Sequence, residues 1–153
     1  LYGDLGSGKT TFVQGVAKGL GIKRRIISPT FIIVRSYKIN SKHLLFELVE
    51  NYPSENFSTL PTSRDRSKNK LLNPKRLYHV DLYRISSEDD IRGLGLEEIL
   101  NDSSNIVAIE WAEKMGNLLP KDRIDIGFAS ISENERRITI NIKNQKLNIK
   151  NTD

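Results

Sequence analysis

The sequence contains, from residue 3 to residue 10, the stretch Gly3-Asp4-Leu5-Gly6-Ser7-Gly8-Lys9-Thr10. It fits the pattern G-x-x-x-x-G-K-[ST] at every fixed position, and apolar residues at helical spacing follow directly, from Phe12 to Leu20. Glycines let the backbone curl so that successive N–H groups face phosphate oxygens, and the positive end of the next helix adds to the attraction. The stretch therefore predicts a phosphate-binding loop that leads into a helix.

Two side chains of this loop have the chemistry that a nucleoside triphosphate and its metal require. Lys9 would neutralise the β- and γ-phosphates as a compact charge, and the Thr10 hydroxyl would occupy one position on Mg²⁺. The alternative is a chance glycine turn before an ordinary helix. Given average glycine usage, the four fixed positions coincide in roughly one in a hundred chains of this length. We therefore predict that the chain binds ATP and Mg²⁺.

Length and composition limit the class of protein. A chain of 153 residues can form one domain with a hydrophobic core, so we predict a single domain over residues 1–153. The chain has no cysteine, which excludes disulfides and thiolate metal sites. The longest bulky apolar run, Phe31 to Val34, is far below the roughly 20 residues that cross a bilayer. We expect a cytoplasmic protein without a membrane span.

The first residue is Leu1 and not methionine, and the phosphate-binding loop follows almost at once. Such a loop follows a buried strand, so we expect the natural N-terminus and its first strand to be missing from this chain. The sequence leaves open whether a targeting segment precedes it.

Strand and helix patterns alternate after the first helix. Ile26 to Tyr37 is β-branched and aromatic, with Pro29 near its start, and predicts one strand; Leu77 to Tyr83 predicts a second. Ser87 and Asp90 have the spacing of a capping box at the start of a helix.

The C-terminal half continues this alternation. A helical piece is predicted around 96–100, and residues 106–109 form the apolar run expected of a strand that is buried on both faces of a parallel sheet. Residues 123–128 and 136–143 alternate between apolar and polar, as in a hairpin. The order of elements predicts an α/β fold of the P-loop NTPase type, with a largely parallel sheet flanked by helices and a C-terminal β-hairpin.

Magnesium also needs a carboxylate on a neighbouring strand, because it prefers hard oxygen ligands. Glu110 ends the most apolar run and is the best candidate, with a solvated strand end as the alternative. Asp81 is the second candidate, and strand alternation places it on the same face as His79 and Tyr83. A plain salt bridge between Asp81 and Arg84 is compatible with the same spacing.

Four other side chains have less specific patterns. Thr30 could bring a nucleotide-sensing hydroxyl to the γ-phosphate through the turn at Pro29, and it is equally compatible with an ordinary strand start. Trp111 fits a core or interface anchor better than a catalytic group. His43 and His79 have no metal-ligand spacing, and we assign them structural or surface roles.

Five segments together resemble the TsaE family. They are, in order, GDLGSGKTTF, SPTF, HVDLYR, LGLEE and IEWAEK. The first segment alone indicates a P-loop fold, whereas HVDLYR and IEW at these separations are more restrictive. The resemblance covers about 110 residues and leaves out the segment before Leu77 and the family's opening strand.

The resemblance implies functional roles for residues already singled out. Those for nucleotide binding are Gly3, Asp4, Leu5, Gly6, Ser7, Gly8, Lys9, Thr10, Thr11 and Trp111. Those for magnesium are Thr10 and Glu110, and those for catalysis are Thr30, Asp81 and Glu110. It also implies a small ATPase that works with TsaB and TsaD on threonylcarbamoyladenosine at position 37 of tRNA, with TsaC supplying the threonylcarbamoyl group. Our own hypothesis is that hydrolysis is slow and resets the partner complex, because the residues supply phosphate and metal binding but no evident second substrate site. Contact with tRNA would be indirect, through the complex.

Three alternative functions share parts of this sequence pattern. A GTPase would carry N-K-x-D, but Asn69-Lys70 is followed by Leu71-Leu72, which lacks the aspartate. A small-molecule kinase would share the loop but needs an arginine-rich lid and an acceptor pocket, and neither is evident in the sequence. A non-catalytic docking subunit, in which ATP stabilises a binding surface, stays open.

Positive charge is concentrated before the second predicted strand. The net charge is +5, and residues 51–77 hold six basic and two acidic residues. The segment of about 40–76 is rich in Asn, Ser, Pro and Lys, which predicts a flexible basic insertion. One hypothesis is that Arg64 to Arg76 contacts tRNA or an acidic partner; a solvated loop is the alternative that we favour.

Overall fold

The structure is a computed structural model that describes residues 1–39 and 74–143. The predicted insertion therefore lies outside the described residues, except for residues 74–76. The helices are α1 (Lys9–Gly19), α2 (Glu88–Arg92), α3 (Leu96–Asn101) and a 3₁₀ helix (Ala112–Leu118). The strands are β1 (Val34–Lys38), β2 (Arg76–Asp81), β3 (Asn105–Glu110), β4 (Arg123–Ser130) and β5 (Arg136–Lys143).

The described strands form two small sheets. The first has the order β1-β2-β3, with β1 antiparallel to β2 and β2 parallel to β3. The second is the predicted hairpin, in which β4 and β5 are antiparallel. The mixed α/β class is thus confirmed, but the sheets are not largely parallel. Parallel pairing needs a crossover connection, which α2 and α3 supply between β2 and β3, whereas antiparallel pairs need none.

The strand predicted from Ile26 to Tyr37 is much shorter, because a turn precedes it. The N–H groups of Ile32 and Ile33 both donate to the carbonyl oxygen of Pro29, at 2.8 and 2.6 Å. Ile33 has a φ of 63°, a conformation that a β-branched residue seldom adopts. Extended geometry therefore begins only at Val34, and the residues before it form a loop.

The apolar strand β3 is also less buried than predicted. Residues 105–108 are half-buried, and burial is complete only at Ile109 and Glu110. Within the described residues β3 is the last strand of its sheet. Beside its C-terminal end lies Leu1, whose carbonyl oxygen accepts the Trp111 N–H at 3.1 Å. Residues 1 and 2 connect the two sheets, because Tyr2 pairs on its other side with β4.

The helices are short and pack on both sides of the first sheet. The predicted capping box begins α2: the Ser87 Oγ accepts from the Asp90 N–H, and Asp90 Oδ2 accepts from the Ser87 N–H. No helix of the described residues is long and apolar enough to cross a membrane.

Two apolar clusters surround the ends of β2 and β3. One lies under α1 and includes Val13, Ala17 and Leu77. The other lies under α2, α3 and the 3₁₀ helix and includes Val80 and Met115. The loop before α1 and the C-terminal ends of β2 and β3 meet between these clusters, and polar side chains collect there.

Candidate functional site

The glycine-rich loop has a backbone that other residues would not tolerate. Gly3 has a φ of 131°, and a Cβ at this position would lie 2.3 Å from the carbonyl oxygen of Phe128. Gly8, the residue before α1, has a φ of 109°. Both angles fall in the region that favours glycine. The loop can therefore pack closely against β4 and still turn into the helix.

The first turn of α1 presents N–H groups that have no backbone acceptor. Within residues 1–39 and 74–143, the N–H groups of Lys9, Thr10 and Thr11 donate to no carbonyl. These are the groups that a helix leaves unpaired at its N-terminus, where the dipole is positive. The Ser7 Oγ is also buried without a partner in the same part of the chain. The loop thus offers donors of the kind that phosphate oxygens accept.

Lys9 is buried to 4% exposure in the same loop. Its Nζ donates to the carbonyl oxygens of Gly3 at 2.5 Å and Asp4 at 2.8 Å. It also lies 4.1 Å from the ring centroid of Trp111, a geometry in which the ring face attracts the ammonium. These contacts hold a positive charge beside the unpaired N–H groups.

Glu110 connects the loop to the end of β3. The Thr10 hydroxyl donates to the Glu110 carboxylate, at 2.8 Å to Oε1 and 3.0 Å to Oε2. His79 is fully buried, and its Nε2 lies 2.7 Å from Glu110 Oε1. Because a carboxylate only accepts hydrogen bonds, this contact requires the proton on Nε2. Glu110 is therefore fixed from two sides, by one residue of α1 and one of β2.

Asp81 forms the second polar cluster, opposite Glu110 in the parallel pairing of β2 and β3. The Thr30 hydroxyl donates to Asp81 Oδ2 at 2.5 Å, and the Ser28 hydroxyl donates to the same oxygen. The other carboxylate oxygen accepts the N–H of Tyr83 at 3.0 Å. The turn at Pro29 brings both hydroxyls to β2. A longer strand would carry them away from it.

The salt bridge that spacing allowed between Asp81 and Arg84 is not formed among the described residues. Arg84 instead lies over the ring of Phe31, with its guanidinium carbon 4.2 Å from the centroid. The two side chains leave the strand end in different directions, and Asp81 stays with the hydroxyls.

A cleft of about 320 Å³ joins these clusters. Its lining residues are Leu5, Gly6, Gly8, Lys9, Thr10, Thr11, Ser28, Thr30, Asp81, Tyr83, Glu110 and Trp111. All the residues to which catalytic or metal roles were assigned are among them. Three residues of the predicted nucleotide set do not line it, namely Gly3, Asp4 and Ser7.

Sequence reasoning missed three residues of this site. His79 was assigned a structural or surface role, but it is buried and forms a hydrogen bond with Glu110. Strand alternation with Asp81 was the signal that could have placed it here. Ser28 and Tyr83 were not singled out as site residues, although Ser28 stands two positions before Thr30. Their roles depend on the turn at Pro29 and on the end of β2.

The donor set of the cleft fits a magnesium–nucleotide complex. One hydroxyl and two carboxylates supply hard oxygen atoms, and Mg²⁺ binds through one or two carboxylates together with water and substrate phosphates. No cluster of three or more His, Cys, Asp or Glu residues is present in residues 1–39 and 74–143. An all-protein metal cage is thus not seen there, whereas a site shared with phosphates fits.

The family model and the individual similar proteins give the same description. Residues 1–138 match the family model described as "Threonylcarbamoyl adenosine biosynthesis protein TsaE". Three similar proteins all bear the name "tRNA threonylcarbamoyladenosine biosynthesis protein TsaE". That of Bacillus subtilis is 35% identical over 91% of this chain and 65% of its own length. That of Rickettsia felis is 33% identical over 92% and 62%, and that of Borreliella burgdorferi is 36% identical over 81% and 66%. The chain thus spans slightly less than two thirds of these relatives.

Proposed function

The chain belongs to the TsaE family, and on that premise we propose that it is the ATP-binding and ATP-hydrolysing subunit of the machinery that makes threonylcarbamoyladenosine at position 37 of tRNA. The name of its relatives supports the pathway. One observation above all supports the activity: a single cleft joins the loop amides and Lys9 to the carboxylates of Asp81 and Glu110. Triphosphate hydrolysis needs both kinds of group in one place.

The loop would bind the phosphates. The unpaired N–H groups of Lys9, Thr10 and Thr11 would donate to phosphate oxygens, and the Lys9 ammonium would neutralise the β- and γ-phosphates. Thr10 and Glu110 would hold Mg²⁺, which supplies neutralisation of the charge that develops on the phosphate oxygens. His79 would keep the Glu110 carboxylate in its orientation through the 2.7 Å contact.

Asp81 would act on the attacking water. Its Oδ2 accepts from Ser28 and Thr30, and its Oδ1 accepts from the backbone of Tyr83, so its orientation is fixed on both oxygens. In hydrolysis, water oxygen forms a bond to the γ-phosphorus, the bond to the β-phosphate oxygen breaks, and a water proton passes to Asp81. Thr30 would sense the γ-phosphate, because Thr30 lines the cleft and its hydroxyl donates a hydrogen bond to Asp81.

Exposed apolar side chains that favour protein partners line the cleft at Leu5 and Tyr83, and Phe31 and Ile32 directly follow its lining residue Thr30 in the chain. Leu5 is 73% exposed and Phe31 is 81% exposed, and Ile32 and Tyr83 are also exposed. Exposed apolar side chains grouped beside a polar cleft are typical of interaction surfaces. We assign this rim to TsaB-like and TsaD-like partners, whose complex the hydrolysis would reset; contact with tRNA would be through that complex.

The kinase and docking alternatives make different predictions. A small-molecule kinase needs arginines over the phosphates, and in the described part of the chain no arginine lines the cleft. A docking subunit would bind MgATP without turning it over. Hydrolysis measurements therefore separate the docking function from the proposed one.

The proposed function is tested with the full-length protein in two steps. Calorimetric titration is expected to detect MgATP binding, and phosphate release is expected to be slow alone and faster when the TsaB-like and TsaD-like proteins are added. Binding without any turnover, in either condition, would favour the docking alternative. Absence of MgATP binding would overturn the proposed function altogether.

A further inference from the structure

Three side chains in the first sheet end in buried polar atoms that no described residue satisfies. They belong to Arg35 and Tyr37 of β1 and to His79 of β2. The Arg35 Nε, the Tyr37 hydroxyl and the His79 Nδ1 have no hydrogen-bond partner within residues 1–39 and 74–143. Buried polar atoms in folded proteins almost always have a partner, either from the protein or from ordered water. Each of the three atoms therefore requires a partner that the described side chains do not supply.

The pairing of β1 with β2 places these three side chains together. Arg35 is directly opposite His79 in the antiparallel register, and Tyr37 is two positions further along β1. Opposite residues of antiparallel strands project to the same face, with Cβ atoms about 4.5–5.5 Å apart, and diagonal neighbours lie somewhat farther away. Strand alternation also puts Tyr37 on the face that carries Arg35. The three polar atoms thus belong to one small region of the sheet.

This face of the sheet is covered by α1. Tyr37 is 4% exposed and packs in the cluster that contains Val13, Ala17 and Leu77. His79 is fully buried. Bulk solvent therefore does not satisfy the three polar atoms, and their partner must itself be enclosed.

The hydrogen-bonding capacities of the three atoms are complementary. The contact with Glu110 places the proton of the neutral His79 ring on Nε2, so Nδ1 is an acceptor. The Arg35 Nε is a donor, and the Tyr37 hydroxyl can donate or accept. One water molecule can accept from Arg35, donate to His79 and bond to the Tyr37 hydroxyl. Buried waters typically make about three hydrogen bonds to polar groups that lack other partners.

We infer that Arg35 and Tyr37 position His79 through one internal water molecule that bonds to all three side chains. The water holds the imidazole at Nδ1, so that the Nε2–H stays directed at the Glu110 carboxylate. Groups behind a metal ligand fix its orientation, and their loss weakens metal binding. This consequence for magnesium rests on the proposed function, in which Glu110 holds the ion. The water itself does not depend on that function.

The state of the His79 ring can be measured by NMR in the full-length protein labelled with ¹⁵N-histidine. The sequence has two histidines, so the signals that remain in His43→Gln belong to His79. We expect a protonated Nε2 and an unprotonated Nδ1 that accepts a hydrogen bond. Tyr37→Phe and Arg35→Met each remove one partner of the water, so each should move the Nδ1 resonance to higher frequency. Lys38→Met is the matched control, because Lys38 is exposed on the other face of β1.

Tyr37→Phe provides a second measurement, because it removes the hydroxyl and keeps the ring. If the hydroxyl bonds to the water, its loss should lower the melting temperature. If the hydroxyl is buried without a partner, its removal should leave the melting temperature unchanged or raise it, because an unsatisfied buried hydroxyl is destabilising.

The effect on the metal is measured through hydrolysis. The magnesium concentration for half-maximal hydrolysis should rise about 3- to 10-fold in Tyr37→Phe and in Arg35→Met. This is less than the usual loss of about 10- to 100-fold for a direct partner of a metal ligand. Lys38→Met should leave the magnesium dependence unchanged.

Three results would overturn the inference: a protonated Nδ1, an Nδ1 resonance that is unchanged in either Tyr37→Phe or Arg35→Met, or a melting temperature of Tyr37→Phe that does not fall. If the resonance moves and the magnesium dependence does not, the positioning role is wrong. If the resonance moves and the unaltered protein hydrolyses no ATP even with its partners, the proposed function fails while the water remains.

Discussion

Lys9 is an unusual side chain, because a lysine is seldom buried without a carboxylate beside it. Its ammonium is satisfied by the carbonyl oxygens of Gly3 and Asp4 and by the face of Trp111. Neutral partners leave the positive charge uncompensated. The loop therefore keeps an attraction for anions that a salt bridge would have cancelled.

Lys9→Ala should remove this attraction. Hydrogen bonds to charged groups contribute about 1.5–3 kcal/mol, so MgATP affinity is expected to fall roughly 10- to 100-fold. Binding can be followed by the fluorescence of Trp111, the only tryptophan of the sequence, and checked by calorimetry. Lys18→Ala, an exposed lysine in the last turn of α1, is the control. Equal affinity in the two variants would contradict the site.

His79 is a positioning residue in this proposal, since it contacts Glu110 and not the nucleotide. His79→Leu should raise the magnesium concentration needed for half-maximal hydrolysis about 10- to 100-fold, the usual effect of losing a partner of a metal ligand. His79→Gln should recover much of the loss, because an amide N–H can reach the same carboxylate. Tyr78→Phe, on the neighbouring position of β2, is the control.

A purely structural role for His79 gives a different result. Both His79 variants would then lower the melting temperature, and neither would shift the magnesium dependence. That outcome would remove His79 from the site and leave it as a core residue.

At the scale of elements, hydrogen bonds within a cluster of Tyr2, Arg123 and Asp125 connect the start of the chain to β4. Tyr2 donates its hydroxyl to Asp125 Oδ1 at 3.0 Å, and the Arg123 Nε donates to the same oxygen at 2.8 Å. Burial alone would raise the pKa of the Asp125 carboxyl, but hydrogen bonds from Arg123 and Tyr2 and the charge of Arg123 outweigh it and hold the pKa below its ordinary value.

This shift predicts a dependence of stability on pH. Because the pKa of Asp125 is lower in the folded protein than its ordinary value of 3.8, its contribution is complete above that pH and is lost as the pH falls below it. Asp125→Asn should therefore be less stable than the unaltered protein at neutral pH, with a difference that shrinks below pH 3.8. The measurement is the free energy of unfolding in urea at several pH values.

The control for this experiment is Asp122→Asn, since Asp122 is an exposed neighbour of the cluster. Its substitution should leave the hydrogen bonds of Tyr2 and Arg123 to Asp125 intact, so the free energy of unfolding at neutral pH should be unchanged. If Asp125→Asn behaves in the same way, the cluster does not couple the start of the chain to β4.

At the scale of the whole molecule, the apolar rim of the cleft that Lys9, Asp81 and Glu110 line is the place where partners would act. Phe31 directly follows Thr30, whose hydroxyl donates a hydrogen bond to Asp81. A partner that contacts Phe31 can therefore move this hydroxyl. Phe31→Asp should reduce stimulation of hydrolysis by the TsaB-like and TsaD-like proteins by at least about tenfold, because an exposed aromatic anchor is lost. The MgATP affinity of the isolated protein should stay within about twofold of normal.

Ile124→Asp is the matched control, because Ile124 is also an exposed apolar residue but lies on the hairpin. Stimulation should be normal in that variant. Loss of stimulation in both variants, or in neither, would mean that the rim beside the cleft is not the partner surface.

The amino-acid sequence by itself determined the glycine-rich loop, α1, the capping box, the hairpin and the family, because each depends on residues that are close together in the chain. Local spacing fixes which backbone N–H groups are exposed and which residues can adopt a positive φ. It also identified Asp81 and Glu110 as carboxylates at strand ends. These predictions needed no knowledge of distant contacts.

Tertiary structure alone decided how the strands pair and which side chains meet. The antiparallel pairing of β1, the turn at Pro29 and the burial of His79 against Glu110 all join residues that are far apart in sequence. A strand pattern does not specify its partner or direction, and a histidine pattern does not reveal what it faces. The cleft that Lys9, Asp81 and Glu110 line is thus predictable in its parts, whereas its assembly follows from packing between distant segments.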